Sequence, residues 1–219
     1  MKTKSTLSRD TIIQSALVRA DKTGIDSLSM RTIARSLGVK AMSLYNHVKN
    51  KDDILDGLVE AIVLKIQLPL SEKNWKDALY KRTISAHQVL MQHPWAAFLF
   101  VSRANVGPSM LRYVDTTLGY LHQGGFSPEL ADYAWNTIDS YLYGFIQQTV
   151  HFPLKTSEYQ KAAEKFLPLL PIDQYPFLHA LSLEVISGVH NGIPDFEFGL
   201  QLILDSLERT VKRKECETT

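Results

Sequence analysis

With 219 residues, 45% of them hydrophobic, and 24 Lys or Arg against 23 Asp or Glu, the chain can bury a full core and carries a formal net charge of only +1. No apolar run approaches the roughly 20 residues of a membrane-spanning helix, the N-terminus lacks a signal-peptide core, and Cys216, the only cysteine, excludes an intrachain disulfide. A cytoplasmic protein of one small and one larger domain is expected, with Cys216 an inert thiol in a polar tail.

Residues 1–7 form a polar, basic arm, expected to be disordered in solution and able to touch phosphates. Ser8 is placed to cap a helix over 9–23, whose apolar positions Ile12, Ile13, Ala16, Leu17 and Ala20 recur at helical intervals until Gly24 stops it. Ile25 and Leu28 then cover the underside of the next stretch. Residues 30–48 read as two short helices joined by a tight turn. Ser29 is the N-cap, and Ile33, Leu37, Val39, Leu44 and Val48 face inward with small Ala34 at the crossing. Gly38 follows Leu37, where the first helix must end in a left-handed conformation that costs a residue with a Cβ about 1 kcal/mol. Ala41, Met42, Ser43, Tyr45, Asn46 and His47 point outward, a face able to enter a major groove.

A longer helix is expected from Lys51 through Ile54, Leu55, Leu58, Ile62 and Ile66 to Pro69, a rod between two units. Beyond it the pattern is helical throughout. Helices are predicted at about 75–92, 95–106, 108–123 and 128–148, then a loop at 149–157 and a short helix at 158–167. An irregular link around Pro168, Pro171 and Pro176 leads to helices at 177–190 and 195–213. The expected architecture is all-α: a three-helix unit over 1–51 with a helix-turn-helix, a connecting helix over about 51–68, and a larger helical bundle over 69–219.

An ordinary helical hairpin with a solvated face gives the same pattern as the 30–48 motif, and charge separates the two. Residues 1–51 hold ten Lys or Arg against three acids, a local charge of +7, whereas the rest carries 14 against 20, or −6. A basic end on an acidic body is the footprint of a protein that docks on phosphate through one face.

The runs Leu-Ser-Arg-Asp-Thr-Ile-Ile from Leu7, Leu-Ser-Met-Arg-Thr-Ile-Ala from Leu28, Leu37-Gly38-Val39, and Leu44-Tyr45-Asn46-His47-Val48-Lys49-Asn50-Lys51 resemble the DNA-binding domain of tetracycline-repressor-family regulators. A weaker resemblance, Phe196-Glu197-Phe198-Gly199-Leu200 to Leu207-Glu208, points to the branch containing the tetracycline repressors themselves. The resemblance implies a ligand-responsive regulator, a repressor released from a palindromic operator. It also implies a homodimer built on helices 128–148 and 195–213, each more apolar than a monomer needs, although deep burial in one domain gives the same pattern.

By the same resemblance Arg31 reads a base, for which its bidentate fork suits guanine, and Tyr45, His47 and Lys51 hold phosphates. Ala41, Met42 and Ser43 head the second helix, where base contacts concentrate, with Asn46 beside them; Met42 stands where the family often has proline or a small residue. His47 as a packed structural histidine is the alternative. For the effector, Phe98, Phe100, Arg103 and Asn105 lie in the segment that the family uses to sense ligand. Asn136, Asp139, Ser140, Tyr143 and Gln147 form a polar stripe that lines a pocket or faces water. Where tetracycline-binding members hold magnesium with a His and a Glu, this chain has Phe100 or Val101 and Gln148, which cannot replace that site. No metal or cofactor is expected, and the effector should be small and apolar or aromatic.

Two other functions fit an all-helical chain. An enzyme is disfavoured because the seven histidines show no metal-ligand spacing and no phosphate loop or nucleophile elbow occurs. An adaptor would bind protein through its helical body and use the basic end nonspecifically; a salt titration on a short palindrome separates it from a repressor, whose affinity should fall with a log–log slope of about −0.9 per neutralised phosphate.

Overall fold

The computed structural model describes residues 6–217. Residues 1–5 of the expected arm and the Cys216 side chain lie outside what is described. The N-terminal unit consists of α1 (Arg9–Thr23), a 3-10 turn (Ile25–Ser27), α2 (Met30–Leu37) and α3 (Ala41–Leu44), followed by the connecting helix α4 (Lys51–Val63). The larger part holds α5 (Trp75–Gln92), α6 (Pro94–Ser102), α7 (Pro108–Gln123), α8 (Pro128–His151), α9 (Tyr159–Phe166), α10 (Pro176–Ser187) and α11 (Phe196–Glu217). No strand occurs among the described residues.

Local chemistry sets the helix starts. Ser8 and Ser29 each accept a bond from the backbone N–H three residues on, at 3.2 and 3.1 Å, and Thr11 and Thr32 return one from the cap's own N–H, both at 2.9 Å. This is the reciprocal capping arrangement with threonine in place of the usual Glu or Gln. Asn50 Oδ1 caps α4 through the Asp53 N–H at 2.9 Å. Pro94, Pro108 and Pro128 open α6, α7 and α8, where a missing N–H costs nothing. Gly38, at φ 69° and ψ 28°, makes the left-handed turn between α2 and α3.

Several helix ends differ from the sequence expectation. The connecting helix stops at Val63 rather than Pro69, because the Lys65 and Ile66 N–H groups bond three residues back, to Ile62 and Val63. The tightened turn seats Ile66 in the core. Helix α6 ends at Ser102 rather than 106: Asn105 Nδ2 donates to the carbonyls of Leu99 and Phe100, both at 3.1 Å, and closes the helix early. Helix α10 ends at Ser187 because Gly188 turns left-handed, while α8 runs on to His151.

Helix α4 is shared by both parts. It packs on α1 along one side and on α6 and α7 along the other, with Ile54, Leu58 and Ile62 fully buried. On the α1 side Gly57 permits the approach, since a Cβ there would strike the Ile13 side chain. Helix α11 packs on α5 and α8. Tyr141 of α8 stacks on Phe196 at 5.2 Å and donates to the Phe196 carbonyl at 3.0 Å. Gly199 leaves room for that ring, so Gly199→Ala should force it aside and lower stability by about 1–3 kcal/mol. Thermal melting at fixed protein concentration measures the loss; an unchanged midpoint would show that the ring relaxes freely.

Helices α9 and α10 pack on one another, and neither fully buries a residue within this chain; Phe177 is 88% exposed.

Candidate nucleic-acid face and effector cavity

On the N-terminal unit, Leu44 and Val48 anchor the α3 segment in the core, and their burial turns its other side chains outward. Met42 is 74% exposed, Tyr45, Asn46 and His47 are exposed, and Ala41 and Ser43 are half-buried. Arg31, second residue of α2, and Lys51, first residue of α4, are both exposed. Only Ala41–Leu44 are α-helical in this segment; turns carry the chain on to Val48. Asp53 fixes the segment to α1 by pairing with Arg9 at 2.8 Å and accepting the Lys49 N–H at 2.9 Å. The Arg9 hydrogen bond, with help from Lys49, holds its carboxyl below the ordinary aspartate value.

In the larger part, α6, α7 and α8 line a cavity of about 390 Å³ that opens to solvent. Seven of the nine side chains singled out in the sequence line it: Phe100, Arg103, Asn105, Asn136, Asp139, Ser140 and Tyr143. Val101, Met110, Tyr113, Val114 and Trp135 complete the wall. Phe98 and Gln147 do not; they face a separate crevice against Asp21 and Trp95 at the junction with α1. Helix periodicity turns Phe98, two residues from Phe100, to another side of α6; Gln147 shares the Tyr143 face but lies one turn further along α8, past the cavity's lining.

Beside the cavity lies a buried charge cluster that periodicity did not reveal. Arg82 of α5 is fully buried, with Nη1 2.8 Å from Asp139 Oδ1 and Cζ 4.4 Å from the centroid of the Tyr113 ring. Asp139 Oδ2 accepts from Trp135 Nε1 at 2.8 Å and Tyr143 Oη at 3.1 Å. Burial opposes the guanidinium's charge, yet Asp139, helped by Tyr113 and Tyr143, more than offsets this, and Arg82 stays charged with its pKa above the ordinary arginine value. Burial, reinforced by Asp139, pushes the Tyr143 phenol well up; burial also raises Tyr113, against the opposing pull of Arg82. Both phenols therefore keep their protons at neutral pH.

The stretch from Arg103 to Met110 joins cavity to connecting helix. Arg103 reaches Asp56 at 2.7 Å and Asp52 at 3.0 Å, and these two acids hold its pKa above the usual value. One turn further along α4, Glu60 accepts the N–H groups of Ser109 at 2.8 Å and Met110 at 3.1 Å, capping α7 from outside. Gly107 lies against that carboxylate, where a Cβ would collide. Asp52, Asp56 and Glu60 are four residues apart and share one face of α4, a carboxylate ladder gripping the connector between α6 and α7. A second junction links α1 to the start of α6: Asp21 Oδ1 meets His93 Nδ1 at 2.6 Å and Trp95 Nε1 at 2.9 Å, while Lys65 donates to His93 Nε2 at 2.9 Å.

A basic helix-turn-helix unit coupled through a shared helix to a hollow helical body defines a DNA-binding regulator with a ligand compartment. Residues 12–58 match the model of bacterial regulatory proteins of the tetR family, and residues 68–211 that of the tetracyclin repressor-like C-terminal domain. The chain belongs to the TetR family of transcriptional regulators. Among its relatives is the HTH-type transcriptional repressor DrrR1 of Streptomyces coeruleorubidus, 30% identical over 98% of this chain and 82% of that protein. Another is the class D tetracycline repressor protein of Escherichia coli, 27% identical over 97% of this chain and 91% of its own length. The fold is similar to that of the TetR-family protein ActR of Streptomyces coelicolor in complex with actinorhodin, with a TM-score of 0.79, 26% identity and coverage of 94% and 99% of the two chains.

Among the described residues no helix is long and apolar enough to cross a membrane, and no three or more His, Cys, Asp or Glu side chains converge as metal ligands. Phe100 and Val101 carry no side-chain oxygen or nitrogen, and Gln148 is exposed on α8.

Proposed function

We propose that the chain is a homodimeric, cytoplasmic repressor, without catalytic activity, that leaves a palindromic operator when a small apolar or aromatic effector fills the cavity between α6, α7 and α8. Residues 1–51 form the DNA-binding unit, α4 the link, and residues 69–219 the ligand-binding and dimerisation unit. The observation that carries the reading is the shared connector: the residues from Arg103 to Met110 both wall the cavity and hold α4 through Asp52, Asp56 and Glu60. An effector that displaces this connector shifts α4, and with it the α2–α3 face at its N-terminus, so ligand and DNA favour different states. The dimer pairs α8 and α11 with their copies, which would cover the exposed Tyr133, Phe198 and Leu202.

On DNA, Arg31, Ala41, Met42, Ser43 and Asn46 meet base edges, and Tyr45, His47 and Lys51 hold phosphates. An exposed methionine at position 42 suits the methyl group of thymine. Arg31→Ala should cost about 1–3 kcal/mol per half-site and relax the preference at one base pair. Lys51→Ala should weaken every sequence alike and flatten the log–log salt dependence by about one unit. Equilibrium titrations of both variants on inverted-repeat duplexes across a salt series test the assignment; uniform weakening by Arg31→Ala, or an unchanged slope in Lys51→Ala, overturns it.

A further inference from the structure

The charge cluster beside the cavity has more donors than acceptors. Asp139 spends both oxygens: Oδ2 on Trp135 and Tyr143, Oδ1 on the charge contact with Arg82, which lies outside hydrogen-bond geometry. Arg82 Nε and Nη2 and the Tyr113 hydroxyl are buried with no hydrogen-bond partner, three donor groups against one such acceptor, Asp139 Oδ1, which faces the guanidinium. A buried donor without a partner is costly, and an oxygen atom from outside the chain would complete it. Tyr113 lines the cavity beside Asp139 and Tyr143, and Arg82 stands behind its ring.

We infer that the effector presents an anionic oxygen, a carboxylate or ionised phenol on an aromatic frame, to the Tyr113 hydroxyl, with the Arg82 guanidinium supplying the positive field behind it. This rests on reading the cavity as the effector site, and it names the chemical class that site selects. A ligand cation would meet a guanidinium, while the only carboxylate on this wall accepts from Trp135 and Tyr143 and has its charge offset by Arg82. A hydrocarbon would leave the Tyr113 hydroxyl unsatisfied. The aromatic frame is set by Phe100 and Tyr143, edge to face with centroids 6.0 Å apart, and by Trp135.

Three probes of one shape separate the possibilities: anthraquinone-2-carboxylate, its neutral 2-carboxamide and the cationic 2-(aminomethyl)anthraquinone, titrated calorimetrically into the full-length protein and its Tyr113→Phe variant. The carboxylate should bind at least about tenfold more tightly than the cation, and Tyr113→Phe should weaken it by at least about tenfold, as a lost bond to a charged group does. The variant should leave the cation's affinity unchanged and the melting midpoint unchanged or higher, since it removes an unpaired buried hydroxyl, whereas loss of a merely structural tyrosine would lower the midpoint. Tighter binding of the cation, equal losses for all three probes, or no binding of the carboxylate at millimolar concentration overturns the inference. Operator release driven by the cation would sink the anion preference and keep the effector site. A carboxylate that binds through Tyr113 without changing operator affinity would keep the chemistry and sink the effector reading.

Discussion

Arg82→Met is expected to destabilise the protein by about 3–5 kcal/mol, the largest loss that any single substitution near the cavity should produce. The methionine fills much of the arginine's volume, so the loss is electrostatic. Asp139 remains among apolar neighbours holding Trp135 and Tyr143, with its counter-charge gone. At about 2–4 °C per kcal/mol for a chain of this size, the melting midpoint should fall by on the order of 10 °C. Removing both charges, as Arg82→Met with Asp139→Leu, should recover most of that loss, since a buried pair replaced by apolar side chains of similar volume is often neutral. Melting curves of wild type, single and double variants at one protein concentration decide it. A single variant that melts with the wild type would mean that water reaches the carboxylate, and a double variant as unstable as the single would trace the loss to packing.

Arg103→Ala is expected to separate ligand binding from DNA release. The ion pairs with Asp52 and Asp56 are partly exposed, with side-chain accessibilities of 22% for Arg103 and 70% and 58% for its partners. Each such pair contributes no more than about 1 kcal/mol, so the fold survives their loss. Their position matters more, because they are direct charge contacts between the cavity wall and the N-terminal half of α4. A working switch carries about 1–3 kcal/mol of coupling, a 5- to 150-fold change in operator affinity on ligand binding. In Arg103→Ala that change should shrink below about threefold while operator affinity without ligand stays near wild type. Operator titrations with and without saturating ligand measure both quantities, and full release in the variant would move the coupling to Glu60 or to the His93 junction.

The N-terminal unit was legible in the sequence because its determinants are local. Ser8, Ser29 and Gly38 cap and turn the chain within a few residues of where they stand, and the apolar spacing of Ile12 to Ala20 has a single helical solution. The polar face of α8 was legible in Asn136, Asp139, Ser140, Tyr143 and Gln147, but whether it lined a pocket or faced water was not; the first four line one cavity and Gln147 does not. Arg82 was missed because a single arginine in a helical pattern reads as solvated until α8 supplies its aspartate, 57 positions later in the chain. The early ends of α4 and α6 were missed for a related reason: Asn105 and the turn at Lys65 stop those helices by bonds that periodicity does not encode. The carboxylate ladder of Asp52, Asp56 and Glu60 was not read from the sequence, because only the fold shows that Arg103 and the start of α7 are what it holds.

Selection of bound duplexes from a random-sequence pool tests the account most directly. A dimer presenting two α2–α3 units should enrich an inverted repeat whose half-sites are centred about one helical turn, 10–10.5 base pairs, or a multiple of it apart. Recovery of isolated half-sites, or of no sequence above background at low salt, would contradict it.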